Sequence, residues 1–270
     1  VTAAVPLLEQ YLDSSVSVGI RDTMYAIDDN GDAAWQDSSS ENRLLGVFET
    51  EISTLLRKDF GSMSNGWSHT LRPFVNYIYV SDDDQDVPQF DSTDSFADQN
   101  QITYGIKNFF SLSGITANNE EFEREYGYVK MQQSYDFRST ADDEPFQPLE
   151  LETAWYPKGN MMLKYSTDWD VYDSEFVKHV AEADYWSTRG DSLSFDYLYY
   201  KNDWGEDTNS LRFSTLISLF YNVSAGYSLE KSLEDSITVQ EKFRLIYHPA
   251  CWSVELGAET TPDNEQITIL

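Results

Sequence analysis

Long runs in which apolar and polar residues alternate limit most strongly what this chain can fold into. In SLRFSTLISLF (210–220), the odd positions from Leu211 to Leu219 are mainly apolar and the even positions mainly polar. Similar runs are YVKMQQSYDF (128–137), MMLKYSTDWDV (161–171) and SITVQEKFRLIY (236–247), where Glu241 is an exception. Because successive side chains of a strand point to opposite faces, this pattern predicts strands with one apolar face. No helical period of useful length competes with it.

The connections between these runs are of two kinds. Short ones are YPKGN (156–160), STRGD (187–191), FYNV (220–223) and YHPAC (247–251). Longer acidic ones occupy 81–99, 139–146, 201–209 and 260–266, and 28–42 is also predicted to be a loop of the same sheet. The two kinds alternate along the chain, and about fifteen strands are expected in all.

A soluble β-sandwich and a membrane β-barrel both produce alternation. Three features favour an antiparallel transmembrane barrel. The predicted strands run to about 10–13 residues, whereas the common strand length is about 5–6. Short and long connections alternate, as they do when one end of a barrel faces the periplasm. Aromatic residues cluster near strand ends, which is typical of interfacial girdles: YIYV (77–80), YLYY (197–200), FYN (220–222) and IYH (246–248).

The charge balance excludes one class of partner. The chain has 47 acidic and 18 basic residues, a formal net charge of −29. Nucleic acid is not expected as a partner, because phosphate backbones require a basic surface. The acidic residues indicate either a strongly solvated surface or loops that hold divalent cations loosely, since carboxylates suit Ca²⁺ and Mg²⁺.

Nothing in the sequence predicts an enzyme. The three histidines, His69, His179 and His248, lie far apart and show no metal-ligand spacing. No nucleophile elbow, phosphate-binding loop or dinucleotide motif occurs, and the many carboxylates single out no acid/base pair. We therefore predict no catalytic residue, no metal ligand and no cofactor.

The stretch HPACWSVELG (248–257) contains the single cysteine, Cys251. A buried, inert thiol is one interpretation, because free cysteine is among the most buried residue types. Its position after a proline-containing turn at the start of a strand favours a reachable side chain. In an oxidising compartment such a thiol is available for a disulfide with another segment or chain.

Two segments resemble the LptD family of lipopolysaccharide-assembly proteins of the outer membrane. Residues 69–110 contain an H-x-L-x-P strand, a tyrosine-rich strand, a loop with a Pro-x-Phe-Asp element and the strand NQITYGI. YHPACWSVEL (247–256) resembles the cysteine–tryptophan segment near the family's C-terminus. Two departures stand out: Ala250 occupies a position where members often have a second cysteine, and the family's N-terminal jellyroll is not recognisable.

The resemblance implies that residues 1–270 are the C-terminal part of an LptD-type barrel, about fifteen of some twenty-six strands. It implies transport of lipopolysaccharide into the outer leaflet of the Gram-negative outer membrane, through a seam whose last-strand side begins near Gln266. The implied partners are lipopolysaccharide, an LptE-like lipoprotein plug, the periplasmic Lpt bridge through the absent N-terminal domain, and outer-membrane lipid. Cys251 would then pair with a cysteine of that domain.

Two alternatives stay open on the sequence alone. A porin-like channel would share the location and need no plug, and a secreted acidic β-sandwich would bind ligands without a membrane. The barrel interpretation makes a further prediction: the apolar faces, including Ile217, point outward to lipid, and the long acidic loops face the cell exterior.

Overall fold

The computed structural model describes residues 2–4, 11–26, 40–62, 65–81, 98–116, 118–139, 144–202, 207–262 and 264–269. Within these ranges the chain forms sixteen strands. They are β1 (Thr2–Ala4), β2 (Asp13–Ala26), β3 (Ser40–Ser53), β4 (Leu56–Ser62), β5 (Asn65–Val80), β6 (Gln99–Ile115), β7 (Glu121–Asp136), β8 (Leu149–Trp155), β9 (Met161–Asp170), β10 (Glu175–Trp186), β11 (Ser192–Tyr200), β12 (Thr208–Phe220), β13 (Val223–Ser232), β14 (Thr238–Tyr247), β15 (Val254–Thr261) and β16 (Asn264–Ile269). In the described part of the chain, no helix has the length and apolarity needed to cross a membrane.

The strand order follows the chain. Fifteen strands are neighbours in sequence order, and β4 pairs with β5 beside that path. The strand pairs with an assigned register are antiparallel. This order confirms the predicted all-β antiparallel fold, with sixteen strands where about fifteen were expected. The central strands are longer than predicted, because β5 and β7 have 16 residues and β6 has 17.

Contacts divide the chain into two compact units. The first comprises Val1–Leu56, Leu71–Ile106 and Gln132–Gln147. Its most extensive pairing joins β2 to β3, from Asp13 opposite Ser53 to Ala26 opposite Ser40. Among its described residues, the buried apolar side chains are Leu45, Phe74 and Val80. The predicted loop 28–42 overlaps β3, which begins at Ser40, and residues 27–39 lie outside the described part.

The second unit comprises Arg57–Thr70, Lys107–Met131 and Pro148–Leu270. From β8 to β16 it is a continuous series of hairpins whose register carries each face across nine strands. One row on the apolar face is Ile217, Ala225, Leu245, Leu256 and Ile269. The adjacent row on the opposite face is Ser218, Ser224, Ile246 and Glu255.

Large apolar side chains of these strands lie at the surface. Among the described residues of β8–β16, the buried hydrophobic side chain is that of the small residue Ala154. The large side chains of Phe195, Ile217 and Phe243, in contrast, are between 41% and 48% exposed. A water-soluble sheet of this size would bury such side chains against a second layer. A sheet whose apolar face meets lipid needs no second layer.

The predicted alternation of connection lengths is confirmed at some connections after β8 and wrong at others. The short connections 156–160 and 187–191 are confirmed. At the other end of the strands, however, β9 and β10 are joined by 171–174, and β15 and β16 by 262–263. The latter is shorter than 248–253, which replaces the predicted tight turn 247–251. The predicted loop 260–266 is mostly strand, because β15 extends to Thr261 and β16 begins at Asn264.

Candidate functional site

The charged side chains of β8–β16 lie mostly on the polar face of the sheet. This face carries five cations, Lys164, Lys178, Arg212, Lys242 and Arg244, since register places these positions on the face opposite Ile217. Four of them have a carboxylate partner at 2.9–3.9 Å: Glu152, Asp168, Glu230 and Glu259, respectively. The ion pairs join adjacent strands, which makes them the cross-strand contacts that fix register on a polar surface.

Carboxylates exceed cations on this face. Glu182 and Asp196 are directly opposite each other on β10 and β11. The Ser194 hydroxyl donates a hydrogen bond of 2.6 Å to Asp184 one residue pair away. A water-filled interior tolerates such like-charge neighbours, whereas a dry core does not. Among the described residues, no group of three His, Cys, Asp or Glu side chains has the arrangement of a metal site.

The apolar face carries aromatic contacts at both ends of the strands. Near the connections 171–174 and 201–207, the His179 ring lies 4.8 Å from Phe176, 5.8 Å from Tyr199 and 6.2 Å from Tyr165. The Tyr165 hydroxyl is 2.9 Å from His179 Nδ1. His179 is therefore a packed member of an aromatic cluster, as expected for a structural histidine. At the opposite end, Tyr247 and Trp252 pack edge to face at 5.4 Å.

Glu241 interrupts the apolar face, as the sequence indicates. It lies in the row that contains Leu229. The Tyr227 hydroxyl donates a hydrogen bond of 2.9 Å to its carboxylate. This acidic residue of the apolar stripe is thus supplied with a donor from the neighbouring strand, which lowers the cost of its placement there.

The structure places Cys251 in the connection 248–253, three residues before β15, and leaves it exposed and unpaired. The backbone amide of His248 donates to the carbonyl of Asn222 at 2.8 Å, so this connection lies beside the 221–222 turn. The reachability predicted for the thiol is confirmed. Its position in the short connection before a strand agrees with the sequence-based prediction, and its disulfide stays a prediction.

β16 is the last strand in the order and hydrogen-bonds to β15. It begins at Asn264, two residues before the predicted Gln266. Ile267 is 79% exposed and Ile269 is 70% exposed. A terminal strand of this kind offers backbone donors and acceptors to a further strand. Most of the acidic loops predicted to hold cations, at 82–97, 140–143 and 203–206, lie outside the described residues.

Comparison with protein families gives one match. A family model described as LptD, LPS transport system D, matches residues 6–233. The match contains the whole of segment 69–110 and ends before the cysteine–tryptophan segment 247–256. No curated protein is significantly similar to the chain.

Solved structures give weak likenesses. Two mutant forms of Rhodopseudomonas blastica porin are 11% and 10% identical, cover 94% of this chain and 97% of their own, and have TM-scores of 0.38 and 0.37. A structure described as "Asymmetric conductivity of engineered proteins" is 10% identical over the same shares, with a TM-score of 0.34. Scores at this level do not bear on function.

Proposed function

This chain belongs to the LptD family, and we propose that it forms part of the outer-membrane barrel that delivers lipopolysaccharide to the outer leaflet. The observation that carries this proposal is the two-sided sheet of β8–β16, with an apolar face over nine strands and ion pairs throughout the other. Such a sheet separates lipid from an aqueous lumen. A Gram-negative outer membrane is the setting in which both solvents are present.

The transport step needs no covalent chemistry. Lipopolysaccharide has a sugar and phosphate head and several acyl chains. The polar face, with hydroxyl or charged side chains on each strand, is suited to the head, because water in the lumen keeps these groups solvated. The acyl chains must leave sideways, which requires a seam where two strands separate. β16 is our candidate for one side of this seam, because the family resemblance implies a seam near Gln266, which lies in β16.

The partners follow from the same proposal. A barrel too wide for its own side chains to fill needs a plug, for which an LptE-like lipoprotein is the family's expectation. Lipopolysaccharide would arrive from the periplasmic Lpt bridge through an N-terminal domain. We place the 156–160, 187–191, 221–222 and 248–253 connections on the periplasmic side. No enzymatic activity is proposed.

Cys251 has a role in this arrangement. We propose that its exposed thiol forms a disulfide with a cysteine of the N-terminal domain, holding the outlet of that domain under the barrel. The Tyr247–Trp252 pair at 5.4 Å packs beside it and would anchor the connection at the membrane boundary. Cys251→Ser is expected to leave the strands folded and to abolish the mobility difference between reduced and non-reduced full-length protein on gels. Identical mobility of the unaltered protein with and without reductant, together with free maleimide labelling, would contradict this role.

The transport function is tested by photo-crosslinking in cells. A photoreactive amino acid at Ser214, on the polar face, is expected to give a lipopolysaccharide adduct detectable by immunoblot. The matched control is the neighbouring Phe213, which lies on the apolar face and is expected to give no adduct at this depth. Absence of adducts at Ser214, and likewise at Ser194 and Ser228 in the same row, would contradict lipopolysaccharide passage along this face.

A further inference from the structure

Arg244 differs from every other cation on the polar face of β8–β16. Lys164, Lys178, Arg212 and Lys242 each have a carboxylate within 4 Å. Among the residues that the structure describes, Arg244 has neither an ion pair nor a hydrogen bond from its side chain. In a chain with 47 acidic residues and 18 basic ones, a guanidinium without a carboxylate needs an explanation. It is half-buried at the centre of β14, not at a frayed end.

Glycines flank Arg244 on both neighbouring strands. Gly226 on β13 and Gly257 on β15 are its direct cross-strand partners. A Cβ atom at Gly226 would lie 3.4 Å from Leu216 Cδ1 and 3.5 Å from Arg244 Nε, so the leucine and arginine side chains cover this glycine. A Cβ atom at Gly257 would approach only the carbonyl oxygens of Phe243 and Thr268, at 3.9 and 4.0 Å. The space above Gly257, beside the guanidinium, therefore contains no side chain.

The carboxylates that face this position come from β15. Glu259 is already held by Lys242 at 3.3 Å and by Gln240 at 2.7 Å. Glu255 lies two residues from Gly257 on the same face and makes no ion pair with Arg244 among the described contacts. Ser224 and Ser228, two residues either side of Gly226, add hydroxyl groups. The result is one unpaired planar fork of donors with open space and hydroxyls around it.

We infer that Arg244, with the open space over Gly257, is a binding subsite for a phosphoryl-type anion. A guanidinium binds a phosphate with two parallel hydrogen bonds, a geometry that an ammonium cannot provide. The space over Gly257, which no side chain fills, lets a tetrahedral group approach the guanidinium edge. The inference rests on the proposed function for the source of the anion, which is either the phosphorylated head of a lipid or free phosphate in the lumen.

The test uses the purified full-length protein in detergent and three ligands: lipopolysaccharide, lipopolysaccharide treated with phosphatase, and inorganic phosphate. Calorimetry gives the affinity for each. Arg244→Gln is expected to weaken binding of the phosphorylated ligand about tenfold, as loss of one charge-assisted bidentate contact does. Arg244→Lys is expected to restore only part of the affinity, because the charge returns without the fork. Faster migration of the unheated than of the heated variants in SDS gels verifies that they are folded.

Arg212→Gln is the matched control, since it removes the same charge from the same face but from a pair with Glu230. An Arg244-dependent affinity for lipopolysaccharide that disappears after phosphatase treatment would identify the lipid head as the source. Dependence confined to inorganic phosphate would identify a free anion, and either result supports the subsite. Equal losses in both variants, or no loss in Arg244→Gln, would overturn it. Unaltered protein that binds no lipopolysaccharide would instead count against the proposed function, while the phosphate measurements still decide the subsite.

Discussion

The two faces of β9–β15 share one backbone but are stabilised by different side-chain contacts. On the polar face, side chains are matched across strands by charge, as in Lys178–Asp168 at 3.1 Å and Arg212–Glu230 at 2.9 Å. On the apolar face they are matched by ring contacts, as in Phe213–Tyr227 at 6.3 Å, and the exceptional Glu241 is given a hydroxyl donor. The difference shows that register is specified twice, once for each solvent. A one-residue slip of any strand would expose charges to lipid and rings to water.

The largest loss of stability is expected when a charge is placed on the apolar face. Phe195 lies near the middle of β11, opposite Ala183 and Phe213. Phe195→Arg is expected to lower the free energy of unfolding by about 2–4 kcal/mol, the cost of arginine near the bilayer midplane. Denaturant titration in lipid vesicles measures this.

Leu198→Arg provides the control for that substitution. It also replaces an apolar residue of β11 with arginine, but Leu198 lies on the polar face, opposite Val180 and Ser210. A loss of stability at least as large as that of Phe195→Arg would contradict the assignment of the two faces.

A second substitution tests how the cost of a charge on the apolar face depends on its depth in the membrane. Ile217 is on the apolar face but only three residues before the end of β12. Ile217→Arg is therefore expected to cost about 1 kcal/mol or less, as arginine does near the interface. The same titration applies. A cost equal to that of Phe195→Arg would place Ile217 near the midplane.

Substitutions on the polar face are expected to lower the free energy of unfolding less than charges placed on the apolar face. The Arg212–Glu230 pair is partly exposed, with 59% and 27% of the two side chains accessible. Coupling between Arg212→Ala and Glu230→Ala in a double-mutant cycle is expected to be about 0.2–1 kcal/mol and to shrink at high salt. A coupling of several kcal/mol would indicate a dry environment on this face.

Sequence patterns predicted the faces of β9, β12 and β14, because a period of two is visible within a single strand. They predicted the short connections 156–160 and 187–191 but not the lengths of 171–174, 248–253 and 262–263; Val171, for example, continues the apolar pattern of β9 but lies in a turn. The flanking of Arg244 by Gly226 and Gly257 depends on the register of three strands and is invisible in any one of them. Cys251 was found by its uniqueness, and the sequence already predicted its place in a turn; the extension of that turn to residue 253 required the structure, because Trp252 and Ser253 continue the alternation without being strand.

The smallest effect expected concerns the 187–191 turn. The backbone amide of Ser218 donates to the Asp191 carboxylate at 2.8 Å, and Arg189 pairs with it at 2.8 Å. These contacts lower the pKa of Asp191, the Ser218 amide most of all. Because the pKa of Asp191 is lower in the folded state, its contribution to stability is complete above its unfolded pKa of about 4 and disappears as the pH falls through the folded value.

Asp191→Asn should thus be less stable than the unaltered protein at pH 7, and the difference should narrow progressively below about pH 4. Urea titrations of both proteins at pH 7 and below about pH 4 measure this difference in stability. A difference that stays constant with pH would show that the contacts of Asp191 do not depend on its charge.

Spin-label accessibility along β11 tests directly whether one face of the sheet meets lipid and the other meets water. Single cysteines at positions 193 to 199, in a Cys251→Ser background, carry the label in lipid vesicles. We predict that labels at 193, 195, 197 and 199 collide mainly with oxygen, which concentrates in lipid, and that labels at 194, 196 and 198 collide mainly with a water-soluble nickel chelate. Accessibility without a period of two, or with the two sets exchanged, would contradict the account.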